Sequence, residues 1–183
     1  MGNSFSILLM IAAVLTVVLQ LFAEPLLLTF GASENTIGYA MDYMRIYSLG
    51  TVFVLLTLGM NAYITAQGFT TVSMKTVLIG AGLNMVLDPI LIFGLHMGVK
   101  GAALATICSQ AVSMLWVLRF LLGKQTKWRL RKTDMKLVPS VFLPSLALGL
   151  SPFIMQSTES LLAVCFNSSL LKYGGDIAVG AMT

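Results

Sequence analysis

Charge is scarce in this sequence, with seven acidic and eleven basic side chains among 183 residues, and so are cysteine (two) and histidine (one). Each shortage excludes something. Cys108 and Cys165 lie inside apolar runs, with no spacing that would build a disulfide framework or a zinc site, so both read as small hydrophobes. His96 stands alone and reads as a hydrated histidine near the end of a span rather than a ligand. There is no HExxH, no serine–lysine dyad, no aspartate-rich pair and no phosphate-cradling glycine loop. The sequence thus points to a non-enzyme that needs no cofactor.

What is abundant is apolar surface. Hydrophobic residues make up 57% of the chain and charged ones 10%, with a mean hydropathy of +0.91. A soluble domain could not keep that much apolar surface off its exterior, so the solvent for most of this chain is lipid. Crossing a hydrocarbon layer of roughly 30 Å takes about 20 apolar residues as a helix, which satisfies its own backbone hydrogen bonds. The expected fold is an all-α, polytopic membrane bundle with about five transmembrane helices and the start of a sixth.

The first apolar run goes from Phe5 to Phe30, interrupted by Gln20 and Glu24-Pro25, and ends at Gly31-Ala32-Ser33-Glu34-Asn35. A second begins near Thr36, carries Asp42 and Arg45 early, and reaches Ala66 before Gln67-Gly68. Lys75 precedes a third, Thr76 to Met97, and Gly98 to Gly101 leads into a fourth, Ala102 to Leu122. After a basic segment and an irregular stretch around Pro139 and Pro144, a fifth spans Ala147 to Leu171. Lys172 to Asp176 then separates it from Ile177 to Thr183, which read as the first turns of a sixth.

Positive charge orients the bundle. Lys124, Lys127, Arg129, Arg131, Lys132 and Lys136 follow the fourth run, and Lys75 follows the second, which predicts that these loops are cytoplasmic. The same basic segment holds Trp128, but its place between two spans is explained by orientation and anionic lipid, so no nucleic-acid partner is expected. Met1-Gly2 to Ser6 fits a myristoylation pattern only formally, because several spans already hold the chain in a membrane.

Asp88 is the residue most in need of explanation. A carboxyl in the middle of a transmembrane helix costs several kcal/mol unless it is paired, hydrated or protonated. Asn84 lies one turn earlier on the same helix face, so two oxygen-bearing side chains are stacked in a way that suits a hard cation such as Na⁺. The carboxyl could instead carry a proton, or merely hold two helices together by a hydrogen bond. Pro89 removes the donor that would bond the Met85 carbonyl, so a bend is expected beside the acid. Glu159, with Gln156 one turn before it, is a second acid inside an apolar run and a candidate proton or substrate site. Small and polar residues recur at helical spacing elsewhere, as in Thr57, Asn61 and Thr65, or Thr106, Ser109, Gln110 and Ser113. Close helix packing and a polar pathway account for these equally well.

Two segments, Asn84-Met85-Val86-Leu87-Asp88-Pro89 and Gly98-Val99-Lys100-Gly101-Ala102-Ala103-Leu104-Ala105-Thr106, resemble the fifth and sixth helices of multidrug and toxic compound extrusion (MATE) transporters. Gly2-Asn3-Ser4-Phe5, Tyr43-Met44-Arg45-Ile46, Gln67-Gly68 and Gly174-Gly175-Asp176 extend the likeness over essentially the whole chain. The resemblance implies a two-lobe fold in which residues 1–123 are part of the first lobe, matching family helices three to six. Residues 124–146 would be the basic cytoplasmic link, and residues 147–183 the start of the second lobe. It further implies that the chain is an incomplete piece, with two helices ahead of it and most of the second lobe beyond it.

By the same resemblance, Asn84, Asp88 and Thr106 match three cation ligands of the family's first lobe, and Glu159 lies near an acid used on the seventh helix. The family's acid on its first helix has no counterpart in this chain. The function so implied is efflux of amphipathic or cationic drugs across the cell membrane in exchange for Na⁺ or H⁺. Two alternatives stand beside it: a flippase for lipid-linked saccharides from the same superfamily, and a membrane fragment that transports nothing.

Overall fold

A computed structural model describes residues 1–123, 126, 130 and 139–182, with the side chains of 143–174 described in the last stretch. The basic side chains Lys124, Lys127, Arg129, Arg131, Lys132 and Lys136, and Trp128, lie outside the described residues. Every regular element among the described residues is helical: α1 (Gly2–Leu21), α2 (Ala23–Thr29), α3 (Ile37–Leu49), α4 (Thr51–Ala66), α5 (Thr70–Pro89), a π turn (Ile90–Gly94), α6 (Val99–Leu122) and α7 (Pro139–Met182).

The runs read from hydropathy are present, with two internal breaks that hydropathy does not register. The first run divides at Phe22. Pro25 sits in the first turn of α2, where its missing N–H costs nothing, but it can make no bond to the carbonyl of Leu21, the last residue of α1. The second run divides at Gly50 into α3 and α4, which meet at 54°. Gly50 closes a tight turn through its N–H to the Tyr47 carbonyl at 2.9 Å, and a Cβ there would stand 2.5 Å from Ile107 Cγ1.

The third run departs from expectation at both ends. It starts at Thr70, so Lys75 lies in the second turn of α5 rather than ahead of the helix. At Pro89 the helix widens: Leu95 N–H reaches back five residues to the Ile90 carbonyl at 3.0 Å, and the span continues to Gly94. A π turn takes up the hydrogen-bonding mismatch that a proline leaves in an α ladder. His96, with φ of 52°, and Gly98, with φ of 55°, then reverse the chain into α6.

The C-terminal part differs most. The stretch around Pro139 and Pro144 is helical rather than irregular, and no break occurs at Gly174-Gly175: α7 runs as one helix of 44 residues. Pro139 occupies the first helical position, where no donor is needed, and a helix in lipid is held by its internal bonds even through residues of low propensity. The separate start of a sixth helix at Ile177 is therefore replaced by continuation of α7.

Helix α6 is the hub, packing on α3, α4 and α5, while α1 lies along α3 and α4. Its buried face is built from Gly101, Ala103, Ala105, Ser109, Ser113, Val117 and Leu121, small near one end and bulky near the other. At the bulky end Met60, Ile64, Val117, Leu121 and Leu130 form an apolar cluster, with the Leu130 N–H bonded to the Leu121 carbonyl at 3.2 Å. The small residues at the other end let backbones meet, as at Gly101, where a Cβ would come within 2.9 Å of the Leu91 carbonyl.

Candidate functional site

The site grows from α5 and α6 lying side by side, one running toward the π turn and the other away from it. Asn84 and Asp88 are a turn apart on α5, and Thr106 sits on the facing side of α6. The Asn84 amide Nδ2 donates to Asp88 Oδ1 at 3.4 Å and to Thr106 Oγ1 at 3.4 Å, so one carboxamide spans the two helices. The Thr106 hydroxyl donates to the Ala102 carbonyl at 3.0 Å, which leaves its lone pairs turned to the shared space. All three side chains are half-buried. The three residues singled out in the sequence are thus adjacent in space.

Chemically this is a set of hard oxygens: a carboxylate, a hydroxyl and a carboxamide. Both amide bonds are long, so little is lost if they are exchanged for bonds to a cation. Rotating the carboxamide would turn its oxygen, in place of its nitrogen, toward Asp88 and Thr106. Three side chains do not complete the shell that Na⁺ takes; backbone, water or another segment would have to supply the rest. No group of three or more His, Cys, Asp or Glu side chains occurs among the described residues.

Glu159 lies elsewhere and is differently placed. It is exposed on α7, and its Oε2 accepts a 2.8 Å bond from Gln156 Nε2, three residues earlier on the same helix. The fold does not bring this pair to Asp88. His96 is fixed in the reversal between the π turn and α6, in the left-handed region that few non-glycine residues adopt.

One feature was not legible as a site. Asn84 and Thr106 also line a half-open cleft of about 260 Å³ between α4, α5 and α6, which extends toward the apolar cluster past Thr57, Asn61, Thr76, Ser109, Gln110 and Ser113. Asn61 Nδ2 donates to the Ser73 carbonyl at 3.4 Å, but its buried Oδ1 has no hydrogen-bond partner. The signal was present: Thr76 and Gly80 precede Asn84 at intervals of four, which puts all three on one face. Packing by small residues explains such a pattern equally well.

Residues 1–90 match the family model described as MatE. The multidrug export protein MepA of Staphylococcus haemolyticus is 31% identical over 174 residues, 94% of this chain and 38% of the relative. MepA of Staphylococcus aureus is 30% identical over 178 residues. Among solved structures, the MATE multidrug transporter DinF-BH superposes with a TM-score of 0.92 at 35% identity, over 99% of this chain and 41% of that one. An inward-facing MATE transporter of the MOP superfamily gives 0.90 at 26% identity, over 97% and 42%. The chain therefore spans about two fifths of the length of the relatives that it matches. Those relatives are transporters, and the apolar helices make this a multi-pass membrane protein.

Proposed function

We propose that the chain is a MATE transporter over the stretch that it spans, that it carries the ion-coupling half of a multidrug exporter, and that Asp88 is the coupling acid. The observation behind this reading is the single amide of Asn84 held between a carboxylate on α5 and a hydroxyl on α6. Cation entry replaces two weak bonds with ion–oxygen bonds and so changes how α5 and α6 are tied. A drug-bound state that prefers the other tie competes with the ion through that difference, which is all that coupled exchange requires.

In this reading Na⁺ or H⁺ is the coupling ion, the cargo is an amphipathic or cationic compound, and the basic loops face the cytoplasm of a cell membrane. The cleft beside Asn84 supports cationic or neutral cargo over a saccharide phosphate, since none of its lining side chains is basic. The test is ion-driven efflux of a fluorescent cationic dye from membrane vesicles carrying the protein. Asp88→Asn should remove the dependence on the ion gradient while leaving membrane insertion intact. Gradient-driven efflux that survives the substitution would overturn the assignment.

A further inference from the structure

Gly50 does more than break a helix. It is buried where α3 meets α4, and it faces Ile107 of α6. A methyl on it would stand 2.5 Å from Ile107 Cγ1, 3.2 Å from Ile107 Cδ1 and 3.2 Å from the Tyr47 carbonyl oxygen. In a close-packed interior that overlap has to be relieved by moving a side chain or a helix. Ile107 has little freedom to give way, because a β-branched side chain in a helix holds essentially one χ1 rotamer.

Neither wall of this contact is loose. On one side the end of α3 is fastened to α1: Gln20 Nε2 donates to the Ser48 hydroxyl and to the Arg45 carbonyl, both at 2.8 Å, and Thr16 Oγ1 donates to the Ser48 carbonyl at 3.1 Å. Ser48 is fully buried, and in lipid no water stands ready to replace those bonds. On the other side α6 is seated against the α5 span at two close approaches. A Cβ on Gly101 would come within 2.9 Å of the Leu91 carbonyl, and one on Gly80 within 2.7 Å of Ser113 Oγ. Ile107 lies midway between residues 101 and 113.

Thr106 and Ile107 are neighbours in sequence and so point about 100° apart around α6. One faces Asn84 and the other faces Gly50. With α6 held at Gly101 and Ser113, a push on Ile107 bows the helix sideways and slides Thr106 across Asn84 rather than toward it. The Asn84–Thr106 bond is already 3.4 Å long, at the far end of hydrogen-bonding range, so a small slide parts it.

We infer that Gly50 is a positioning residue for the ion site: its missing side chain seats Ile107, and that seat holds Thr106 opposite Asn84. The inference rests on the reading of Asp88 as coupling acid only where ion binding is concerned. The placement of Thr106 follows from the contacts themselves.

The experiment reads placement and ion dependence separately, in native membranes. For placement, Asn84→Cys and Thr106→Cys are combined in the protein with Cys108→Ala and Cys165→Ala, and are bridged with a two-carbon bis-methanethiosulfonate, the yield being read from intact mass. Adding Gly50→Ala should slow bridging about fivefold, and adding Ile107→Ala as well should restore it. For ion dependence, with both cysteines and the site residues native, Gly50→Ala should raise the Na⁺ or proton concentration that half-saturates gradient-driven ethidium efflux about tenfold and leave the maximal rate within about twofold. Ile107→Ala should again reverse the change. Ile107→Phe overfills the same seat with Gly50 intact, so it should reproduce both losses even where Gly50→Ala does not reach the membrane. Bridging that neither Gly50→Ala nor Ile107→Phe slows overturns the inference, because Ile107 then simply swings aside. So does a loss that Ile107→Ala fails to reverse, which is the mark of a general folding defect. Slower bridging with unchanged ion dependence supports the placement of Thr106 and overturns the reading of the site as the coupling one.

Discussion

Asp88 and Glu159 both stand inside apolar helices of this chain, and their surroundings are opposite. Asp88 is half-buried and linked through Asn84 to a second helix. Glu159 is exposed, and its amide partner Gln156 belongs to its own helix. A pair within one helix satisfies itself and asks nothing of its neighbours. A set that spans two helices ties their relative position to whatever occupies the set, which is the property that a coupling site needs. The same contrast holds for the regions around the two acids, since α1 to α6 pack into a bundle with a core, whereas α7 meets it along α1 and at Asn167, whose amide bonds the Phe30 carbonyl at 3.2 Å.

The largest effect that would sharpen the contrast is functional. Asp88→Asn should reduce gradient-driven dye efflux to background in vesicles, while Glu159→Gln should leave a measurable fraction. Equal losses would erase the distinction drawn between them.

The next is a matter of stability. Met60 is fully buried in the apolar cluster, so Met60→Ala should cost about 2–5 kcal/mol in denaturant titrations in detergent. Leu148, 81% exposed on α7, should change stability by less than about 0.5 kcal/mol when replaced by alanine.

Glycines probe the same difference on a smaller scale. Gly101→Ala sets a methyl 2.9 Å from the Leu91 carbonyl, backbone that cannot swing aside, and should destabilise by about 1–3 kcal/mol. Gly149→Ala meets nothing within 4 Å and should stabilise α7 by up to about 1 kcal/mol through helix propensity. Thr106→Val removes one hydroxyl acceptor from Asn84 and should cost about 0.5–1.5 kcal/mol, read by thermal denaturation, with a larger proportional effect on ion dependence than on stability.

Much of this was legible from residue order. Asn84 and Asp88 had to share a face because helical geometry fixes a separation of four, and a carboxyl amid apolar neighbours announced itself by cost alone. That Thr106 faces them came from family likeness, since periodicity within α6 gives its faces but not which one meets α5. The bend at Gly50 was hidden because hydropathy is blind to local backbone: the apolar run continues through it. The continuity of α7 was misjudged for the converse reason. Lys172-Tyr173-Gly174-Gly175-Asp176 carries turn-forming residues, but each can also be accommodated in a helix. Asn61 stayed ambiguous because only the three-dimensional arrangement leaves its oxygen unmatched.

The π turn after Pro89 gives the C-terminal end of the α5 span a spare residue in its winding. Losing one residue from Ile90–Gly94 would let the helix tighten to ordinary α pitch with little change upstream. Losing one between Asn84 and Asp88 would swing amide and acid about 100° out of line. Length can therefore vary on one side of the proline and hardly at all on the other, so this short wide turn acts as a joint that absorbs error before it reaches the carboxylate.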